Sequence, residues 1–193
     1  MLEVIAGCMF SGKSEELTRR LRRAKIARQS VIAFKPSIDD RYDAESIASH
    51  SSIIFSAKSF NGFEDLKSKI EAQLSSSNHC TSVIGIDEVQ FLPDEFVVFA
   101  EEIANQDIKL IVSGLDTDYL GKPFGPMPGL MAIADSVTKL TAICVATDLS
   151  GNICGKPATK TYRFSDSSNG AIIQVGAAES YQARCRVCWR KQS

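Results

Sequence analysis

The chain has 193 residues, of which 44% are hydrophobic and 23% charged, with a formal net charge of -1. That length supplies one ordinary domain, or one with a small appendage, and enough apolar side chains for a sizeable core. The balanced charge excludes the global positive field of a non-specific nucleic-acid binder. No apolar run approaches the roughly 18 residues that span a bilayer, and Met1 to Gly7 lacks the basic start of a signal peptide. Cytoplasm is therefore the expected location, with neither nucleic acid nor membrane as a partner.

Leu2 to Ala6 is a short apolar run closed by Gly7, which predicts a buried strand. Gly7-Cys8-Met9-Phe10-Ser11-Gly12-Lys13-Ser14 then matches G-x-x-x-x-G-K-[ST] completely, in the strand-to-helix setting that the motif requires. Glycines let the backbone curl so that its N–H groups point at phosphate oxygens, and the helix behind adds its positive end. Lys13 is expected to reach the β- and γ-phosphates of ATP, and the Ser14 hydroxyl to hold Mg²⁺. The competing reading is a glycine-rich turn that matches by chance. Cys8 reads as a tolerated small residue and not as a catalytic thiol.

Lys13 to Arg28 places Leu17, Leu21 and Ala24 at helical spacing, with Glu15 and Glu16 at the positive end of the dipole. Its basic run, Arg19, Arg20, Arg22, Arg23, Lys25 and Arg28, reads as a solvated face. Ser30 to Phe34 predicts a second strand, and the polar stretch 37–60 a loop. Phe63 to Leu74 predicts a helix. Ser82 to Ile86 predicts a third buried strand, ending in Asp87-Glu88. A carboxylate pair at a strand end is the second part a phosphate-loop enzyme needs. Asp87 suits Mg²⁺, and Glu88 is placed to take a proton from the attacking nucleophile. The competing reading is a pair of solvated carboxylates. The pair also leaves the acceptor open: water makes an ATPase, a substrate hydroxyl a kinase. Asp94 to Asn105 predicts a helix, Ile108 to Ser113 a strand, and 117–130, rich in glycine and proline, a loop.

Strands alternating with helices predict an α/β fold of the phosphate-loop NTPase (RecA-like) type. Its sheet is mostly parallel, covered on both faces, with ligands at the carboxyl ends of the strands. From about Val137 the pattern changes to short β runs, Val137–Ala142, Thr159–Phe164 and Ala171–Val175, joined by turns. Residues 1–136 are thus expected to form the ATP-binding domain, and 137–193 a small β-rich, metal-bearing domain. Four of the six cysteines, Cys144, Cys154, Cys185 and Cys188, fall in that second part. Four thiolates close a tetrahedral structural Zn²⁺ site, which would hold together a unit too small for much core. The Cys144–Cys154 interval exceeds the usual two to four residues, so spacing supports Cys144 least, and scattered free thiols are the alternative. Cys80, His50 and His79 stand outside the pattern.

These residues together resemble the type II thymidine kinases along nearly the whole chain. The marks are Gly7 to Ser14 read as G-x-M-F-S-G-K-S, and Lys35-Pro36-Ser37-Ile38-Asp39-Asp40-Arg41-Tyr42 followed by Ser49-His50. Asp87-Glu88-Val89-Gln90-Phe91 and Gly114-Leu115-Asp116 come next, then Lys122-Pro123-Phe124-Gly125. The tail adds Cys154-Gly155, Thr161, Val175-Gly176-Ala177, Glu179 and Tyr181. The resemblance implies transfer of the ATP γ-phosphate to the 5′-hydroxyl of thymidine or deoxyuridine, with Glu88 as general base. It implies Asp39 and Arg41 near the metal and the transferring phosphate. It implies a thymine pocket lined by Met9, Phe91, Leu115, Tyr119, Phe124 and Thr161, and a lasso around Val175, Gly176 and Tyr181. A homotetramer, a four-ligand zinc site and inhibition by thymidine triphosphate belong to the same implication. A closing loop also makes physical sense, because a kinase must keep water from the activated phosphate. Departures from the family pattern are Tyr119 where phenylalanine is common, Val89 and Leu92 at the strand end, and the longer first cysteine interval.

Two other classes compete. A nucleic-acid-dependent ATPase gripping DNA or RNA with its zinc module is opposed by the neutral charge. A non-catalytic binding module is opposed by the intact Lys13, Ser14, Asp87 and Glu88.

Overall fold

A computed structural model of the chain describes residues 1–37, 46–48, 54–75, 82–164 and 180–190. Asp39, Arg41, Val175 and Gly176 lie outside the described residues, as do His50, His79, Cys80 and the predicted run Ala171–Val175.

The chain opens with β1 (Leu2–Gly7), α1 (Lys13–Ile26) and β2 (Val31–Pro36), followed by three short strands, β3 (Ser46–Ala48), β4 (Ile54–Ser56) and β5 (Lys58–Phe60). Next come α2 (Gly62–Ser75), β6 (Val83–Ile86), α3 (Phe96–Ala104), β7 (Lys109–Leu115), α4 (Met127–Ile133) and β8 (Ser136–Leu140). The last quarter holds β9 (Ala142–Ile143), β10 (Pro157–Ala158), β11 (Lys160–Arg163), β12 (Tyr181–Arg184) and α5 (Arg186–Arg190).

Six strands form one parallel sheet in the order β5-β2-β6-β7-β1-β8. Its central strands read as apolar runs because helices cover both faces. On one face Leu17, Leu21 and Ala24 of α1 pack on Ile5, Ala33, Val83 and Ile111. On the other, Leu66, Ile70, Phe96, Ile103, Met127 and Leu130 from α2, α3 and α4 meet Val4, Phe34, Ile84, Ile86 and Val112. The alternation of Val4 and Ile5 between the two layers is the two-residue period of a strand. Among the described residues, no helix is long and apolar enough to cross a membrane.

The structure departs from the sequence reading at four places. Within 37–60, β5 joins the sheet beside β2, and β3 pairs antiparallel with β4. Strands of three residues are too short to show a period, and burial of Ala57 and Phe60 is a tertiary fact. Within 117–130, α4 forms although Pro126 and Pro128 flank its first residue. Proline is tolerated in a first turn, where N–H groups have no intrahelical partner, and burial of Met127 and Leu130 drives the helix. The predicted run Val137–Ala142 splits in two. Ser136–Leu140 completes the large sheet beside β1, and Ala142–Ile143 pairs with Pro157–Ala158. Periodicity reveals a strand but not which sheet receives it.

The fourth departure lies in α1, which stops two residues short of Arg28. Arg28 sits in the left-handed region at φ 59, its N–H bonding Lys25 O at 3.0 Å while Gln29 N reaches Ala24 O at 3.1 Å. This pair of bonds is a Schellman ending, which ordinarily carries glycine. Arg28→Gly is expected to stabilise the fold by about 0.5–1 kcal/mol, read as a higher urea midpoint at unchanged m-value. The basic run is also less solvated than expected. Arg20 bonds Glu16 and Glu3, each at 2.8 Å, and Thr138 Oγ1 at 2.8 Å, tying α1 to β1 and β8. Burial alone would raise the Glu3 carboxyl, but Lys109 and Arg20 hold it below its ordinary range.

Candidate active site

The phosphate loop leaves β1 and enters α1 through Gly12, whose φ of 81 only glycine adopts freely. Glu16 N bonds Gly12 O at 3.0 Å and starts the helix ladder. Lys13 is buried, and its Nζ donates to Cys8 O at 2.9 Å; the Ser11 hydroxyl donates to the same carbonyl at 2.8 Å. The lysine charge is thereby folded into the mouth of the loop. Ser14 is half-buried in the first turn, and Phe10 takes a left-handed φ of 64 with its ring exposed.

Cys8 has a structural part that the sequence reading missed. It is buried, donates its Sγ proton to Ala158 O at 3.3 Å, and packs with Ala142, Cys144, Ala158, Ala183 and Cys185. Burial pushes its thiol above the ordinary range, the reverse of what a nucleophile needs. Its neighbour Met9 donates N–H to Thr161 Oγ1 at 3.1 Å. The phosphate loop is thus joined directly to β10 and β11.

Strand order brings the carboxylates to the loop. β7 lies between β1 and β6, so its carboxyl end stands between the phosphate loop and Asp87-Glu88. Asp87 is buried, and Oδ1 accepts both the Ser113 hydroxyl and, at 2.9 Å, the N–H of Glu88. Both bonds fall on one carboxylate oxygen. Glu88 follows in the left-handed region at φ 55, ψ 40, an uncommon conformation for a non-glycine residue and one that clusters at functional sites. A 3₁₀ turn, Val89–Phe91, then folds the chain back.

Further along the same edge, Phe91 meets Phe124 edge to face with ring centroids 5.9 Å apart. Leu115 ends β7 opposite Gly7 of β1. Asp116 is buried and pairs through Oδ2 with Lys139 at 2.7 Å, while Oδ1 has no partner among the described residues. Tyr119 stacks under the Arg163 guanidinium at 3.9 Å, and its carbonyl accepts the Trp189 indole N–H at 3.3 Å. Tyr181 is buried and sits opposite Arg163 in the β11–β12 ladder. The loop that follows β7 therefore rests on β11 and α5.

Four cysteines converge behind this edge. The Sγ atoms of Cys144, Cys154, Cys185 and Cys188 all lie within 4.8 Å of one another, with Cys154 and Cys185 at 3.9 Å. A tetrahedron with Zn–S bonds of about 2.3 Å has edges of about 3.8 Å, so the thiols fit such an ion. The backbone N–H of Cys188 lowers the Cys185 thiol to about 7, while the adjoining Cys185 sulfur pushes Cys188 up to about 12. The long Cys144–Cys154 interval is a hairpin. Cys154 N bonds Ala146 O at 2.9 Å, Gly155 N bonds Cys144 O at 3.0 Å, and Thr147 bridges Ile153. Asp148 closes its tip by accepting the N–H groups of Ser150 and Asn152, each at 2.9 Å. Cys144, which spacing supported least, is fully buried in the cluster.

A family model described as thymidine kinase matches residues 1–189. The chain belongs to the thymidine kinase family. A thymidine kinase of Deinococcus deserti is 46% identical over 193 residues, covering 96% of this chain and 92% of that one. Among solved structures, the flagellar accessory protein FlaH of Methanocaldococcus jannaschii is 12% identical with a TM-score of 0.45, over 79% of this chain and 74% of that one. A structure described as an ATPase is 13% identical with a TM-score of 0.44, over 73% and 65% of the two chains. Similarities that loose carry no weight beside the family match.

As a member of the thymidine kinase family the chain is an ATP-dependent nucleoside kinase. The kinase carries several residues at this edge that sequence reasoning did not single out: Ser113, Gln90, Lys139, Arg163 and Trp189. Ser113 and Gln90 stood inside segments already marked, the strand before Gly114 and the motif after Asp87. Their polarity within apolar stretches was the available signal. Lys139, Arg163 and Trp189 carried none, because their partners lie more than 20 residues away.

Proposed function

We propose that this chain transfers the ATP γ-phosphate to the 5′-hydroxyl of thymidine and of deoxyuridine, with Glu88 as the general base. The observation that carries the reading is the meeting of the phosphate loop and the Asp87-Glu88 pair at the two sides of the β7 tip. Gly7, Cys8, Met9, Phe10, Ser11, Gly12, Lys13 and Ser14 receive the phosphates through main-chain N–H groups and the lysine charge. Ser14 and Asp87 hold Mg²⁺, whose chemistry when bound is neutralisation of phosphate charge. Both donors to Asp87 engage Oδ1, and its carboxylate would serve as the Mg²⁺ ligand. Asp39 and Arg41 take their places near the transferring phosphate from the family resemblance alone.

On the acceptor side, the thymine is bounded by Met9, Phe91, Leu115, Tyr119, Phe124 and Thr161, with the lasso around Val175, Gly176 and Tyr181 assigned by the resemblance to the nucleoside as a whole. The Phe91–Phe124 contact and the Met9–Thr161 bond support this pocket. We read the ATP-binding unit as extending through Leu140, four residues past the expected boundary at 136, because β8 belongs to the large sheet. The remainder is the lasso unit, held by Zn²⁺ on Cys144, Cys154, Cys185 and Cys188. A cytoplasmic homotetramer inhibited by thymidine triphosphate completes the reading.

The direct test incubates the protein with MgATP and a panel of nucleosides, and separately with single-stranded DNA. Thymidine and deoxyuridine monophosphates are the expected products. ATP turnover stimulated by DNA alone, with no nucleoside phosphorylated, would overturn the reading.

A further inference from the structure

We propose that Gln90 is a positioning residue for the transfer reaction, holding the Glu88 carboxylate and coupling it to the main chain of Leu115. The proposal rests on the reading of Glu88 as base and of Leu115 as part of the nucleoside pocket. Gln90 is buried, at 2% exposure, in the turn that follows Glu88. Its Nε2 donates to Glu88 Oε2 at 2.5 Å, and its Oε1 accepts the Leu115 N–H at 3.0 Å. Turning the amide over would set its oxygen against a carboxylate and its NH₂ against an N–H. The two partners therefore determine its orientation.

Two glycines make the space that this residue occupies. A Cβ on Gly114 would lie 2.8 Å from Gln90 Oε1, and a Cβ on Gly125 (φ 49) would collide with the Gln90 carbonyl. Glycine at both positions lets β7 and the loop behind it close on this one residue. Leu115 is in turn the sheet partner of Gly7, the first residue of the phosphate loop. Gln90 thus spans from the carboxylate to the strand beside the loop, and it braces a left-handed Glu88 that local backbone preference would not hold.

Two substitutions separate its bonds. Gln90→Leu removes both, whereas Gln90→Glu keeps an acceptor for Leu115 N–H and loses the donor to Glu88. Either is expected to lower kcat by about 10- to 100-fold, with KM for MgATP within about twofold of wild type. A merely structural role would lower Tm and raise both KM values without separating kcat from KM, and this pattern would overturn the proposal. Glu88→Gln, run in parallel, separates the two readings. If it retains wild-type turnover, the base assignment fails and the proposal falls with it. If it is inactive while both Gln90 variants keep wild-type kcat, the Gln90 proposal alone is overturned. Should Gln90→Leu not fold, Gln90→Glu decides between the same outcomes.

Discussion

Glu88→Gln is expected to lower kcat for thymidine phosphorylation by about 10²- to 10⁴-fold, the usual worth of a positioned general base, with MgATP affinity within about threefold of wild type. The amide is isosteric and still offers an oxygen to the Gln90 NH₂ group, so the left-handed turn keeps its support. What it cannot do is accept the proton of the sugar hydroxyl. The proposed phosphate contacts come from main-chain groups of the loop and from Lys13, whose Nζ donates to Cys8 O, and not from the Glu88 carboxylate. The loss therefore amounts to about 3–5 kcal/mol of transition-state stabilisation at about 1.4 kcal/mol per tenfold. Steady-state kinetics with a separate ATP-binding titration makes the comparison. Unchanged turnover would remove Glu88 from the chemistry.

Cys188→Ser, or removal of metal by a chelator, is expected to cost both stability and activity. Among the described residues, the apolar cluster at β9, β10 and β12 consists of alanine and cysteine: Ala142, Cys144, Ala158, Ala183 and Cys185 with Cys8 of the phosphate loop, and Ala146, Cys154 and Cys188 at its margin. Such small side chains bury little apolar area, and burial supplies only about 25 cal/mol per Å². With Zn²⁺ bound as proposed, metal–thiolate bonds would supply much of the cohesion. Without them four thiols within 4.8 Å of one another have no ion to share. Loss of a few kcal/mol at roughly 3 °C per kcal/mol lowers Tm by about 10 °C.

The damage would not stay in the metal unit. Cys8 and Met9 of the phosphate loop bond Ala158 and Thr161, so a loosened unit also frees the loop and raises KM for both substrates. Metal analysis, thermal melting and kinetics on the same preparations test the chain of effects. Wild-type protein that holds no zinc, or a variant that keeps its Tm after losing it, would end the account.

The parts of the molecule written in local pattern were legible before any coordinates. β1, the phosphate loop and the start of α1 follow from an apolar run, fixed glycines and a helical period within 28 residues. Asp87 and Glu88 stood out as candidates because two adjacent carboxylates close an apolar strand in a chain that already carries a phosphate loop. The short pieces were not. β5 has three residues and no period of its own, and its place beside β2 depends on burial of Phe60. α4 begins amid prolines that usually announce a loop, and is helical because Met127 and Leu130 are buried against the sheet.

The cysteine unit shows the boundary most plainly. Residue types and the Cys185–Cys188 pair pointed to zinc, while the long Cys144–Cys154 interval weakened the signal and left Cys144 the least supported ligand. Only the Thr147–Ile153 hairpin returns Cys154 to its side.

By itself the sequence marked the groups proposed to handle phosphate, the carboxylates proposed to accompany them and the family that the chain resembles, because those features occupy consecutive residues whose backbone requirements are local. Only the tertiary structure decided that β7 separates the loop from the carboxylates, that Gln90 joins Glu88 to Leu115, and that Cys8 packs into the cysteine unit. Each of those contacts brings together residues distant in the chain. Their energies come from burial and hydrogen bonding across the fold, which no local window of residue types contains.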